Sequence, residues 1–229
     1  MLSREMVILQ QLNQKVYFTI EDLVNLFQIK PASAKVLAAR YCKKGIFLRL
    51  KKGFYVLRQN WQNYTAEDFF KLANLIQVPS YVSFMTALDF YEITTQVQRN
   101  FIESAAQKRT VKFDINGTQF VYYKLKKSLY FDFIRQNDIF IATKEKAFLD
   151  AVYLNSFGKY KFDIASIDLT KLNQGKIQQL VKFYPTKTKN VIKRLYRTQW
   201  KLNYYQGQKA KFITVVTKMI EPIVAIRVI

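Results

Sequence analysis

The stretch PASAKVLAARYCKKGIFLRLKKGFYVL, residues 31–57, decides how this chain reads. Pro31 suits the first turn of a helix, where its missing N–H leaves nothing unsatisfied. Gly45 suits the left-handed position just past a helix end, and Lys43 and Lys44 in the last turn complement the helix dipole. Between them, Leu37, Ala38, Tyr41 and Cys42 recur at helical spacing and form an inward face. Ser33, Lys35, Val36, Ala39, Arg40 and Lys43 are left pointing outward. Ile46 to Leu50 and Phe54 to Leu57 then read as two strands closed by Lys51, Lys52 and Gly53.

Upstream, Ser3 can cap a helix from Arg4 to Leu12, with Met6, Leu9 and Leu12 at helical spacing and Val7 and Ile8 widening the stripe. Lys15 to Phe18 reads as a short extended link. Thr19 caps a second helix, and Asp22 stands three residues on as its reciprocal partner. Ile20, Leu23, Val24 and Phe27 give that helix a buried face, and residues 28–30 make the turn into the third. Residues 1–58 therefore predict a winged helix-turn-helix domain, a pattern whose third helix enters the major groove of duplex DNA. Lys35 and Arg40 are the candidates for base edges or nearby phosphates, because Arg can grip guanine O6 and N7 together. Ser33 and the open N–H groups at the helix start suit a phosphate. Arg49, Lys51 and Lys52 on the wing suit the DNA backbone or minor groove, adding affinity rather than sequence choice. The same lysines also fit a solvated helix face, and a winged helix can serve as a protein-docking module.

The rest of the composition closes other routes. The chain of 229 residues carries 37 Lys+Arg against 16 Asp+Glu, a net charge of +21. Such a charge calls for a polyanion such as double-stranded DNA, or an acidic protein surface. Residues 1–58 hold eleven of the cations against Glu5, Glu21 and Asp22, so the charge is densest there. Half of the residues are hydrophobic, enough for one or two real cores. There is no histidine, which removes imidazole bases and His-bound metals. The single Cys42 permits no disulfide within the chain and reads as a small apolar residue, in keeping with a cytoplasmic location. No acid has Lys two residues after it, as a restriction-type nuclease needs, and no phosphate-binding glycine motif occurs. Asp132 and Asp138 lie near a strand and read either as turn formers or as a metal pair. Met1 to Asn13 lacks the apolar core of a signal peptide, and Lys218, Glu221, Pro222 and Arg227 interrupt the apolar stretch Phe212 to Ile229. The expectation is a non-enzyme without cofactor or membrane contact, a monomer or a weak dimer.

Beyond a linker at Arg58 to Tyr64, residues 59–229 predict a second, mixed domain and hence an α+β protein overall. Thr65 opens a helix to Leu75 with Asp68 as partner, Pro79 and Ser80 break it, and Ser83 to Tyr91 reads as helix. Arg109 to Ile115 and Thr118 to Leu125 flank Asn116 and Gly117, the residues of a type I′ hairpin turn. Phe140 to Ala142 reads as a strand, and Thr143 caps a helix from Lys144 to Leu154. Helices are also expected at Gly175 to Phe183 and Lys187 to Gln199; the last twenty residues read equally as helix or strand. Lys124, Lys126, Lys127, Tyr130, Phe131 and Phe133 read either as a stacking platform for single-stranded bases or as an amphipathic segment with buried aromatics.

Three segments resemble one known family. They are GIFLRLKKGFY at residues 45–55, PSYVSFMTALDFY at residues 79–91 and IATKEKAFLD at residues 141–150. The last two are similar, in order and spacing, to the strand-to-helix segment and the helix of the AbiEi-type antitoxins, which regulate bacterial type IV toxin–antitoxin (abortive infection) systems. The third segment has Phe148 where that family usually has Leu. The resemblance implies an N-terminal domain that binds inverted repeats upstream of its own operon as a repressor. It implies a C-terminal domain that counters a nucleotidyltransferase-like toxin, with or without a stable complex. Tyr81, Ser83, Glu145, Lys146 and Asp150 carry the second-domain motifs. Read from the residues alone, Glu145, Lys146 and Asp150 fit a helix held by dipole, cap and salt bridges, with a direct antitoxin role as the alternative.

Overall fold

The computed structural model describes residues 4–197; Ser3, Gln199 and the stretch Phe212 to Ile229 lie outside the described residues. The N-terminal part runs α1 (Arg4–Asn13), β1 (Phe18–Thr19), α2 (Ile20–Phe27), α3 (Pro31–Lys43), β2 (Phe47–Lys51) and β3 (Phe54–Leu57). The three strands form an antiparallel sheet in the order β1-β3-β2, so the extended link before α2 is itself partly strand. Thr19 and Asp22 close the expected capping box: Thr19 Oγ1 accepts from the Asp22 N–H at 3.2 Å, and Asp22 Oδ2 from the Thr19 N–H at 2.7 Å. Gly45 adopts φ +72°, with its N–H on the Cys42 carbonyl at 3.0 Å and the Ile46 N–H on the Tyr41 carbonyl at 2.9 Å. That pair of bonds turns the chain sharply from α3 into β2.

Ile8, Leu12, Phe18, Leu23, Ala34, Ala38, Tyr41 and Phe47 make the core of this part. Phe47 meets Phe18 and Tyr41 edge-on, with ring centroids 4.7 and 4.9 Å apart. Met6 and Val7 are exposed; the inward stripe of α1 is Ile8, Leu9 and Leu12. Steps of three residues drift around a helix by about 60° each, so Met6 falls off the stripe that Leu9 and Leu12 keep.

Residues 58–64, read as a linker, are instead a 3-10 helix, Arg58–Asn63, with Trp61 buried. Trp61 Nε1 donates to Thr118 Oγ1 at 3.2 Å, and its ring packs on Phe69 and Phe120. Tyr64 donates its hydroxyl to the Val16 carbonyl at 2.6 Å. The segment is thus pinned on both sides, because its aromatics need apolar cover and hydrogen-bond partners.

There follow α4 (Ala66–Ile76), β4 (Ser80–Val82), α5 (Phe84–Phe90), β5 (Phe101–Ala106), β6 (Val111–Ile115), β7 (Thr118–Lys124), β8 (Phe133–Gln136), β9 (Ile139–Ala142), α6 (Lys144–Ser156) and α7 (Gln174–Leu180). Six strands form one sheet in the order β6-β7-β5-β4-β9-β8. It is mixed rather than antiparallel: β5 runs parallel to β7, and β4 parallel to β9. The β6–β7 hairpin turns through Asn116 at φ +50° and Gly117 at φ +83°, both positive as a type I′ turn demands. Thr65 with Asp68 caps α4, and Thr143 caps α6. α6 packs against α5, α7 and β9, and is buried on every side. Residues 1–183 make one compact unit and residues 184–229 a second, in which residues 186–197 are helical. The protein is therefore of mixed α+β class. Among the described residues, no helix is long and apolar enough to cross a membrane.

Candidate nucleic-acid interface

α3 owes its position to the short residues beneath it. Ala34 and Ala38 are fully buried and let the helix lie close on α2, while Tyr41 anchors its far end. The opposite face consists of Ser33, Lys35, Val36, Ala39, Arg40 and Lys43, and all six are exposed. At 100° per residue, Val36, Ala39 and Lys43 occupy the middle of that face, with Lys35 on one margin and Ser33 and Arg40 on the other. Val36 and Ala39 in the middle are short and allow close approach, Lys43 adds a cation there, and Lys35 and Arg40 stand at the margins. The helix from Pro31 to Lys43 contains no acid, and no ion pair among the described residues involves Lys35, Arg40 or Lys43.

The β2–β3 hairpin contributes less than expected. Arg49 is exposed on β2, and Lys52 is exposed in the turn. Arg49 lies close enough to Cys42 to offset part of the rise that burial imposes on the thiol, which places its guanidinium beside the last turn of α3. Lys51 faces elsewhere. Its Nζ donates to the Leu75 carbonyl at 2.6 Å and sits 4.5 Å from the Phe54 ring centroid. Burial, with a smaller push from Lys108, lowers its pKa. The cause is local: the register slips between Arg49 and Lys51, leaving Leu50 as an extra residue that swings Lys51 toward the end of α4. Lys51 is thus a clasp on α4, and the outward cations of the β2–β3 hairpin are Arg49 and Lys52.

The motif residues of the segments at 79–91 and 141–150 converge elsewhere in the same unit. Asp150 Oδ2 accepts from the Tyr81 hydroxyl and from Ser83 Oγ, each at 2.9 Å, and Asp150 Oδ1 pairs with Lys146 Nζ. All four side chains are fully buried. Lys146 Nζ lies 5.1 Å from the Phe131 ring centroid and 5.7 Å from that of Tyr81. Burial lowers the Lys146 pKa, opposed by Asp150. Glu145 turns the other way: it accepts from the Asn173 N–H at 3.0 Å and meets Lys176 at 3.6 Å. So the motif ties β4 and α6 together from inside, as the capping-and-salt-bridge reading anticipates.

Phe131 and Phe133 are half-buried, Phe133 stacked on Tyr81 at 4.7 Å and Phe131 against Phe183, while Lys124, Lys126 and Lys127 are exposed. That is an amphipathic segment with its aromatics turned inward. Asp132 accepts from Thr143 Oγ1 at 2.5 Å and pairs with Lys176, whereas Asp138 pairs with Arg135; the two acids serve different partners. Among the described residues, no group of three or more potential metal ligands comes together.

One buried acid escaped the sequence reading. Glu103, in β5, is 2 % exposed and accepts from the Tyr160 hydroxyl at 2.8 Å and the Met85 N–H at 3.1 Å. Burial pushes its pKa up to about 7, against the hydrogen bonds from Tyr160, Met85, Thr86 and Tyr123. Compared with known proteins, the chain matches no protein-family model and no curated protein.

Proposed function

We propose that this protein is a sequence-specific DNA-binding regulator whose N-terminal part, residues 1–57, is a winged helix with α3 as its reading helix. The observation that carries the proposal is the outward face of α3: exposed, free of acids, with Val36, Ala39 and Lys43 at its centre and Lys35 and Arg40 at its margins. The order of helices and strands, β1-α2-α3-β2-β3, supports it, as does the net charge of +21. Arg49 and Lys52 hold backbone phosphates beside the helix. By the resemblance of residues 79–91 and 141–150, we extend the proposal to autoregulation and antitoxin action in a type IV toxin–antitoxin system. In that extension the Lys146–Asp150 core supports the second domain rather than touching the toxin.

The test is selection of duplex sites from a random pool, followed by anisotropy titrations at several salt concentrations. Lys35→Glu and Arg40→Glu should abolish enrichment of a defined sequence. Lys52→Ala should weaken binding to all duplexes alike and reduce the salt slope by about one. Lys51→Ala should leave that slope unchanged, because Lys51 is held on the Leu75 carbonyl. A pool that enriches no sequence would leave only the docking-module reading, which the exposed Val36 at the middle of the face favours.

A further inference from the structure

A pocket of about 430 Å³ opens over Glu103, on a side of the sheet with no part in the proposed DNA contact. That volume lies in the range of small-ligand sites. Its floor is the Glu103 carboxylate. Phe101, Tyr123 and Phe162, all half-buried, are among its lining residues, and Tyr160 packs behind, its ring 5.2 Å from Tyr123 and 5.8 Å from Phe162. Lys159 and Lys161 stand exposed at its rim.

This combination selects a ligand. A buried carboxylate asks for N–H donors, flat aromatic walls ask for a planar ring, and two cations at the mouth ask for an anion. They also repel a simple organic cation, which would otherwise suit a carboxylate among aromatics. A nucleotide satisfies all three demands, and the carboxylate chooses the base. Guanine presents two adjacent donors, N1–H and the N2 amino group. Adenine and cytosine set an acceptor beside their donor, which a carboxylate repels.

We propose that the pocket over Glu103 binds a guanine nucleotide, with Glu103 accepting from the N1 and N2 donors, the aromatic walls stacking the base, and Lys159 and Lys161 meeting the phosphate. Oε1 is the atom that does this: Tyr160 and the Met85 N–H together fill the two lone pairs of Oε2, so both guanine donors fall to Oε1. Tyr123, half-exposed, is the partner that a ligand donor displaces.

The site is linked to protons. Glu103 faces Tyr123, Tyr160, the Met85 N–H, and Lys159 and Lys161 at the rim. Tyr123 is itself pushed up to about 12 by burial and by Glu103, so it stays neutral near pH 7. Guanine needs the carboxylate ionised, whereas the empty site holds its proton to about pH 7. Affinity therefore falls toward tenfold per pH unit below about 7.

The experiment is calorimetric titration of the full chain with GMP at pH 8 and pH 6, with AMP, guanosine and arginine as comparison ligands. The expected result is saturable binding of one GMP, weaker at pH 6, with AMP weaker by at least about a hundredfold. Guanosine should bind less tightly than GMP. Glu103→Gln should lose GMP binding while keeping its circular dichroism. Should Glu103→Gln fail to fold, Lys159→Glu with Lys161→Glu decides: it should weaken GMP and spare guanosine. Arginine or AMP binding as well as GMP, or no saturable GMP binding up to about 1 mM, overturns the proposal.

Discussion

Replacing Asp150 by alanine should be among the most damaging single changes available in this chain. Asp150 is fully buried, pairs with the equally buried Lys146, and accepts the hydroxyls of Tyr81 and Ser83. Removing one partner of a buried ion pair costs about 3–5 kcal/mol, because the remaining ammonium loses its carboxylate. Two hydroxyls left without this acceptor add about 1–3 kcal/mol each at most, and such losses overlap. A total of about 4–6 kcal/mol is then expected, a large part of the stability of an ordinary domain. For a chain of this size that is a fall in Tm of roughly 10–20 °C. Urea denaturation followed by circular dichroism measures the free energy, and calorimetry the Tm. In a Lys146→Met background the same Asp150→Ala change should cost only about 1–2 kcal/mol, since no buried ammonium is left behind. The double-mutant cycle should therefore return a coupling of at least about 2 kcal/mol. A loss below about 1.5 kcal/mol for Asp150→Ala alone, or simple additivity with Lys146→Met, would refute the reasoning that this pair closes a charged core.

Three further outcomes follow from other parts of the structure. Glu103 keeps its proton in the folded state to about pH 7 and loses it in the unfolded chain near the ordinary carboxylate value, so its contribution is full below about pH 4.5 and fades as pH rises to about 7, by about 3 kcal/mol in total. Melting temperatures should accordingly decline from pH 5 to pH 8, and Glu103→Gln should flatten the decline; an unchanged slope in that variant would contradict it. Gly45→Ala forces a side chain into φ +72° at the end of α3 and should cost about 1–2 kcal/mol in urea denaturation, with loss of DNA affinity no greater than the instability explains. Thr19→Ala removes the α2 cap and should cost about 1 kcal/mol by the same assay, with Thr19→Ser recovering most of it.

The N-terminal part was legible because its signals are local. Thr19 with Asp22, Pro31, and Gly45 with its two flanking lysines each fix a helix end within a few residues. Ala38 and Tyr41 followed from periodicity for the same reason, whereas Ala34, fully buried, lies outside the expected inward set. What escaped depends on partners distant in sequence. β5 reads FIESAA, and its acid breaks the apolar run that marks a central strand, although Tyr160 and the Met85 N–H satisfy that acid in the fold. Lys51 looked like a wing cation because a one-residue bulge leaves no trace in composition. Trp61, in a polar run of Arg, Gln and Asn, was taken for linker because its cover comes from Phe69 and Phe120. The motif residues Tyr81, Ser83, Lys146 and Asp150 were visible as a set, but only the fold brings the segments at 81–83 and 146–150 together and hides their charges.

The most direct test of the central claim is a gel-shift with the purified full chain and the DNA just upstream of its own gene. It should be run in about 150 mM salt with excess non-specific competitor, beside the Lys35→Glu and Arg40→Glu variants. The native protein should give a discrete complex that survives competitor, and both variants should give none. A complex that competitor removes, or one that both variants form as well as the native chain, would contradict the assignment of α3 as the reading helix.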